Sequence, residues 1–132
     1  MTKAPSFQTW VIWTLRKASY RWPARSAAFR KATATHTEFK EYWGVAPASI
    51  SKRVRNFYWC QLCDFVFPRK LVSADHVYPV IDPARGFVDW NEYIKRLFCP
   101  ESGFQIICKE CHDDKTKRER KVRTVTRRLK KK

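Results

Sequence analysis

The chain has 132 residues and a formal net charge of +16, with 28 lysines and arginines set against 12 acidic residues. That length suffices for one domain with extensions but not for two full cores. Such an excess of positive charge points to a polyanion, with nucleic acid well ahead of an anionic membrane surface. No uninterrupted apolar stretch is long enough to span a bilayer, so no membrane partner is expected. In the first twenty residues, Trp13, Arg16 and Lys17 interrupt any apolar core of a secretory signal, and an intracellular location is expected.

Residues 5 to 33 are predicted to be helical and basic. Phe7, Trp10, Val11 and Leu15 recur at helical spacing, and that stripe is assigned to packing rather than to base stacking. The interleaved Arg16, Lys17 and Arg21 are the candidates for phosphate contact. Pro23 should break the run after Trp22, with a second short helix over Ala24 to Ala32. Gly44 and Pro47 predict a loop or short turn, followed by the basic cluster Lys52, Arg53 and Arg55. His36 has no partner at ligand spacing and is read as an isolated surface histidine.

From Asn56 the pattern shifts to short strands. Phe57-Tyr58-Trp59 leads into Cys60-Gln61-Leu62-Cys63, and Phe65-Val66-Phe67 leads out, which predicts a hairpin pinned by metal. Leu71-Val72 approaches Asp75-His76, and Val77 to Val80 is expected to continue as a second extended segment. Residues 82 to 88, with Pro83 and Gly86, predict a turn. Asp89 and Glu92 form a capping pair for a helix carrying Trp90, Tyr93, Ile94 and Leu97 on one face. Phe104 to Ile107 reads as a strand entering Cys108-Lys109-Glu110-Cys111, and a final helix should start near His112 with Asp113 and Asp114 at its positive end. The lysine- and arginine-rich segment beyond Lys115 stays helical while Val122, Val125 and Leu129 hold one face, and its last few residues are expected to be disordered without a partner. It serves either as a nucleic-acid contact or as a solvated face.

The cysteines decide the reading. Five is an odd number, which argues against a fully paired disulfide framework. Two C-x-x-C pairs, Cys60–Cys63 and Cys108–Cys111, suit a tetrahedral structural zinc. Cys99 lies outside both pairs, in the apolar run Leu97-Phe98-Cys99, and reads as a small buried hydrophobe. Between the pairs stands Asp75-His76, and His112 follows the last cysteine, so the cage would hold that imidazole in place. Adjacent acid and imidazole, with a second imidazole nearby, suit a second, divalent metal and a hydrolytic centre. His76 is suited to act as general base, because neutral imidazole titrates near working pH.

Asp75-His76-Val77-Tyr78-Pro79 and Ile107-Cys108-Lys109-Glu110-Cys111-His112-Asp113-Asp114-Lys115-Thr116 resemble the HNH endonuclease family with its zinc-binding cysteines. The closer resemblance is to small phage-encoded HNH proteins of the homing or free-standing type. It extends to Gly86-Phe87-Val88-Asp89-Trp90, to Arg96-Leu97-Phe98-Cys99 and to Leu15 through Pro23, and so covers most of residues 7 to 120. It implies an α+β protein: a small ββα-metal domain over residues 56-120, a basic, mainly helical DNA-binding extension over 1-55, and a basic tail over 121-132. It implies a metal-dependent DNA endonuclease acting on double-stranded DNA in a phage-infected host's cytoplasm, leaving 5′-phosphate and 3′-hydroxyl ends. His76 corresponds to the general base, and Asp75 and His112 to the ligands of a catalytic magnesium, manganese or other divalent ion. Cys60, Cys63, Cys108 and Cys111 correspond to the structural zinc ligands. Lys115, one turn beyond His112, is a candidate phosphate contact.

One position departs from the family. Its middle asparagine, which braces the loop carrying the base, is replaced here by Gly103. Ser102, Gln105 or Asn91 are candidates to substitute, and loss of such a brace typically costs about 10- to 100-fold in metal affinity or activity. The alternative reading is therefore a degenerate HNH nuclease, or a zinc-stabilised nucleic-acid-binding protein without catalysis.

Overall fold

The computed structural model describes residues 4–46 and 56–131. The cluster Lys52, Arg53 and Arg55, together with Pro47 and the expected domain boundary at residue 55, lies outside these residues. The described residues form a small α+β protein with five α-helices and two small sheets.

The first helix, α1 (Phe7–Ser19), starts at Ser6, whose hydroxyl accepts a hydrogen bond from the Thr9 backbone N–H at 3.2 Å. Its inward side is formed by Val11, Ile12, Leu15 and Ser19. The aromatic residues face the other way: Phe7 is 77%, Trp10 57% and Trp13 55% exposed. The expected packing stripe thus holds at Val11 and Leu15 and is corrected at Phe7 and Trp10, because the aliphatic and small side chains take the inner face. Pro23 occupies the first turn of α2 (Pro23–Lys31), as its missing N–H allows. This helix buries Ala28 and Phe29, and the Trp22 indole before it donates to the Cys99 carbonyl at 2.6 Å.

A two-residue strand that the sequence did not announce, β1 (Thr33–Ala34), precedes α3 (His36–Trp43). Thr35 and Glu38 form a reciprocal capping box at the start of α3, and Gly44 closes it in the left-handed conformation at φ 73°. His36 is exposed, with its ring against Phe57.

Strands β2 (Phe57–Trp59) and β3 (Val66–Pro68) form the expected antiparallel hairpin, and β1 adds to β2 as the third strand. The second sheet pairs β4 (Val72–His76) with β5 (Phe104–Cys108), placing Asp75 opposite Gln105 and His76 opposite Phe104. The extended segment expected over Val77 to Val80 is absent; the chain bends at Val77 and Tyr78. The pairing explains why, since β5 begins at Phe104 and offers no strand partner beyond His76.

Asp89 caps α4 (Trp90–Leu97) by accepting from the Glu92 N–H at 2.7 Å. Tyr93 and Leu97 are buried, whereas Ile94 is exposed. The last helix, α5 (Lys109–Lys130), begins one turn earlier than expected, because Cys108 takes the capping position and its Sγ accepts from the Cys111 N–H at 3.4 Å. It runs unbroken through residues 120 and 121 and includes the exposed Val122, Val125 and Leu129.

One core joins Ala28, Phe29 and Ala32 of the α2 region to Val72, Phe104 and Ile106 of the β4–β5 sheet. A second joins Ala34 and Phe39 to Phe57 and Val66. Helix α2 therefore packs on the β4–β5 sheet, and β1 with α3 packs on the β2–β3 hairpin. Among the described residues no helix is long and apolar enough to cross a membrane.

Candidate metal centre and adjoining cleft

The four knuckle cysteines converge. The β2–β3 turn supplies Cys60 and Cys63, with Asp64 at φ 56° completing the tight return. The end of β5 and the first turn of α5 supply Cys108 and Cys111. Their sulphur atoms all lie within 4.8 Å of one another, and Cys63 and Cys108 are 4.0 Å apart. A tetrahedral zinc with Zn–S bonds of about 2.3 Å requires sulphurs roughly 3.8 Å apart. This cluster could therefore hold a metal ion such as zinc.

Backbone geometry fixes the cage. The Gln61 N–H donates to the Ile106 carbonyl, and the Gln61 side chain accepts from the Ile106 N–H at 2.7 Å, locking knuckle to strand. Burial pushes the Cys60 thiol up, but hydrogen bonds from the backbone N–H groups of Cys108, Cys63 and Leu62 bring it to about 7. Burial pushes Cys63 up to about 11, and burial with neighbouring sulphurs raises Cys111 as well. Held this close, the four sulphurs would all be thiolates only with a cation between them, which a divalent metal would supply. Cys99 stays outside this cluster, half-buried against the α2 core, in agreement with the packing role read for it.

The same junction carries the Asp75-His76 dyad. Asp75 and His76 end β4, and residues of α5 face them at helical spacing: His112, Lys115 and Glu119 share one side. The Asp75 Oδ1 atom is 3.9 Å from His112 Nε2. Its Oδ2 is engaged by the Lys115 ammonium and by Gln105 Nε2 at 3.2 Å. Lys115 also donates to the His76 carbonyl at 2.6 Å. Glu119 Oε1 lies 3.3 Å from the same ammonium as an ion pair, without hydrogen-bond geometry although buried.

The His76 ring makes its own set of contacts in the same cleft. Its Nε2 is 2.9 Å from the Leu97 carbonyl, and its ring packs on Phe104 at 4.8 Å. A carbonyl only accepts, so Nε2 carries the proton and Nδ1 keeps its lone pair. Burial pushes the imidazole below the ordinary histidine value; the Leu97 bond and Asp75 oppose this, while Lys115 and Arg16 add to it. Burial thus favours the neutral ring, and the Leu97 carbonyl defines its tautomer.

Gly103 has a packing reason. A Cβ there would fall 2.6 Å from Cys99 Sγ and 2.9 Å from its Cβ. The Gly103 carbonyl instead accepts from the Val77 N–H at 2.9 Å, tying down the residue directly after the dyad. Of the three candidate substitutes, Gln105 is the one that contacts the dyad.

Asp75, His76, His112 and Lys115 all line one cleft of about 640 Å³. Arg16 of α1 lines it too, whereas Lys17 and Arg21 do not. Sequence reasoning missed Arg25, Glu119 and Arg123 on its walls. Glu119 and Arg123 follow Lys115 at helical spacing, a signal readable once α5 starts at Lys109. Arg25 reaches the cleft only through the packing of α2, and no sequence spacing announces it. Arg16, Arg25, Lys115 and Arg123 outnumber Asp75 and Glu119, so the cleft is cationic.

No protein-family model, curated protein or solved structure matches this chain.

Proposed function

We propose that the protein is a metal-dependent DNA endonuclease of the HNH type. The observation that carries this reading is the convergence of Asp75, His76 and His112 in a cationic cleft, beside a four-cysteine cage and on a strand–strand–helix unit formed by β4, β5 and α5. The motifs around those residues resemble small phage-encoded members of that family, for which the site of action is the host cytoplasm.

In this reading His76 Nδ1 accepts a proton from the attacking water while the Leu97 carbonyl holds the ring in register. Asp75 is held through Oδ2 by Lys115 and Gln105, which leaves Oδ1 turned towards His112. Asp75 and His112 would hold the divalent ion, their Oδ1 and Nε2 atoms facing one another 3.9 Å apart. When bound, such an ion neutralises charge on the phosphate and the leaving oxygen. Arg16, Arg25 and Arg123 hold the strand through its phosphates. The backbone bond from Val77 to Gly103 takes over bracing that the family assigns to an asparagine.

A labelled duplex tests the chemistry. Products with 5′-phosphate ends that a ligase rejoins are expected in magnesium or manganese. Products ending in 3′-phosphate would exclude this mechanism.

A second reading has one observation in its favour. The Lys115 ammonium already neutralises Asp75, as it would in a zinc-stabilised binding protein without catalysis. DNA held firmly but never cut in any divalent metal is the result that reading expects.

A further inference from the structure

We infer that the outer face of α1 is a stacking platform for unpaired nucleic-acid bases, leading a single strand into the cleft. Trp10, Trp13, Lys17 and Tyr20 follow one another at intervals of three, four and three residues, which places them in one stripe along the helix. All four are exposed, and Tyr20, just past the last turn, is 63% exposed. Three large aromatic side chains turned outward on one helix are not an ordinary feature of a soluble surface.

The composition of the stripe selects its partner. The aliphatic residues of α1 are turned inward, so the exposed apolar surface is made of flat rings, suited to base faces rather than to acyl chains. The helix carries no acidic residue, and Lys17 sits between the rings where a phosphate backbone would pass. The stripe is also continuous with the cleft, because Tyr20 and the neighbouring Arg16 both belong to its lining. The Arg25 guanidinium lies 4.9 Å from the Tyr20 ring, so the cationic and aromatic surfaces meet at that point. Aromatic side chains with interleaved cations along a track are how single strands are held without base readout.

This inference deepens the nuclease reading in naming an unpaired strand as part of the substrate, yet its test does not depend on cleavage. Zinc-loaded protein in magnesium-free buffer is titrated with an oligodeoxythymidylate and with a duplex of equal length. The expected result is quenching of tryptophan fluorescence by the single strand. Trp10→Ala and Trp13→Ala should each weaken that complex by about 5- to 100-fold and leave duplex affinity unchanged. Both side chains are more than half exposed, so the variants should keep the parent melting curve. Lys17→Ala should lower the salt slope of single-strand binding by about 0.7. Equal losses on both substrates, or no quenching, would overturn the platform. So would tryptophan-dependent binding to phosphatidylserine vesicles or tryptophan-dependent self-association in place of single-strand binding. Single-strand binding lost with the tryptophans, in a parent that cuts nothing, would uphold the platform and remove only the nuclease reading.

Discussion

The Nε2 atom of His76 sits 2.9 Å from the carbonyl oxygen of Leu97, the last residue of α4. That contact decides which ring nitrogen is available as a base and ties the dyad to a helix far from it in sequence. A pH profile follows. Burial holds the imidazole below the ordinary value, and only the neutral ring accepts a proton. Cleavage should therefore keep most of its rate at neutral pH and show an acid limb centred below the ordinary histidine value, as the ring becomes protonated. An acid limb centred above pH 7 in initial rates would contradict the assignment.

The cysteine cage should dominate stability. Structural zinc contributes on the order of 10 kcal/mol in small domains. Zinc chelation or Cys60→Ser, at a fully buried ligand position, should abolish cooperative melting near the parent temperature. An unchanged circular-dichroism melt after verified zinc removal would take the cage out of the account.

Gly103 should reject every larger residue, including the asparagine of the resembled family. Gly103→Ala places a Cβ against Cys99 and should cost about 1–3 kcal/mol in denaturant unfolding. Adding Cys99→Ala should recover only part of that loss, since the Cys99 Cβ is itself 2.9 Å from the new atom. Additive losses in the double variant would place the strain elsewhere.

Lys115 should act on Asp75 rather than on a distant phosphate. Both side chains are mostly buried, so Lys115→Met leaves a carboxylate without its main partner. The expected loss is about 1–3 kcal/mol of stability at pH 7, a partly buried pair costing less to break than a fully buried one. Restoring the parent stability with Asp75→Asn in the same chain would confirm the coupling; a Lys115→Met variant as stable as the parent would refute it.

Much of this architecture is legible in the sequence because it is local. The C-x-x-C spacings fix the cage, the apolar runs on either side of Cys60 and Cys63 give the β2–β3 hairpin, and Asp89 marks the start of α4. What escapes depends on contacts distant in sequence. Gln105 meets Asp75 only through the β4–β5 register, and Arg25 enters the cleft only because α2 packs on that sheet. The early start of α5 reflects a thiol acting as a cap, which residue preferences do not anticipate. The outward aromatic residues of α1 escape for another reason: helical spacing alone does not say which of two apolar stripes faces the core.

The most direct test of the central claim is the nicking of supercoiled plasmid in magnesium or manganese, parent against His76→Ala. The account predicts metal-dependent relaxation by the parent and none by the variant, with both proteins holding zinc and DNA. Unchanged nicking by His76→Ala, or no nicking by a zinc-loaded, DNA-bound parent in any divalent metal, would contradict it.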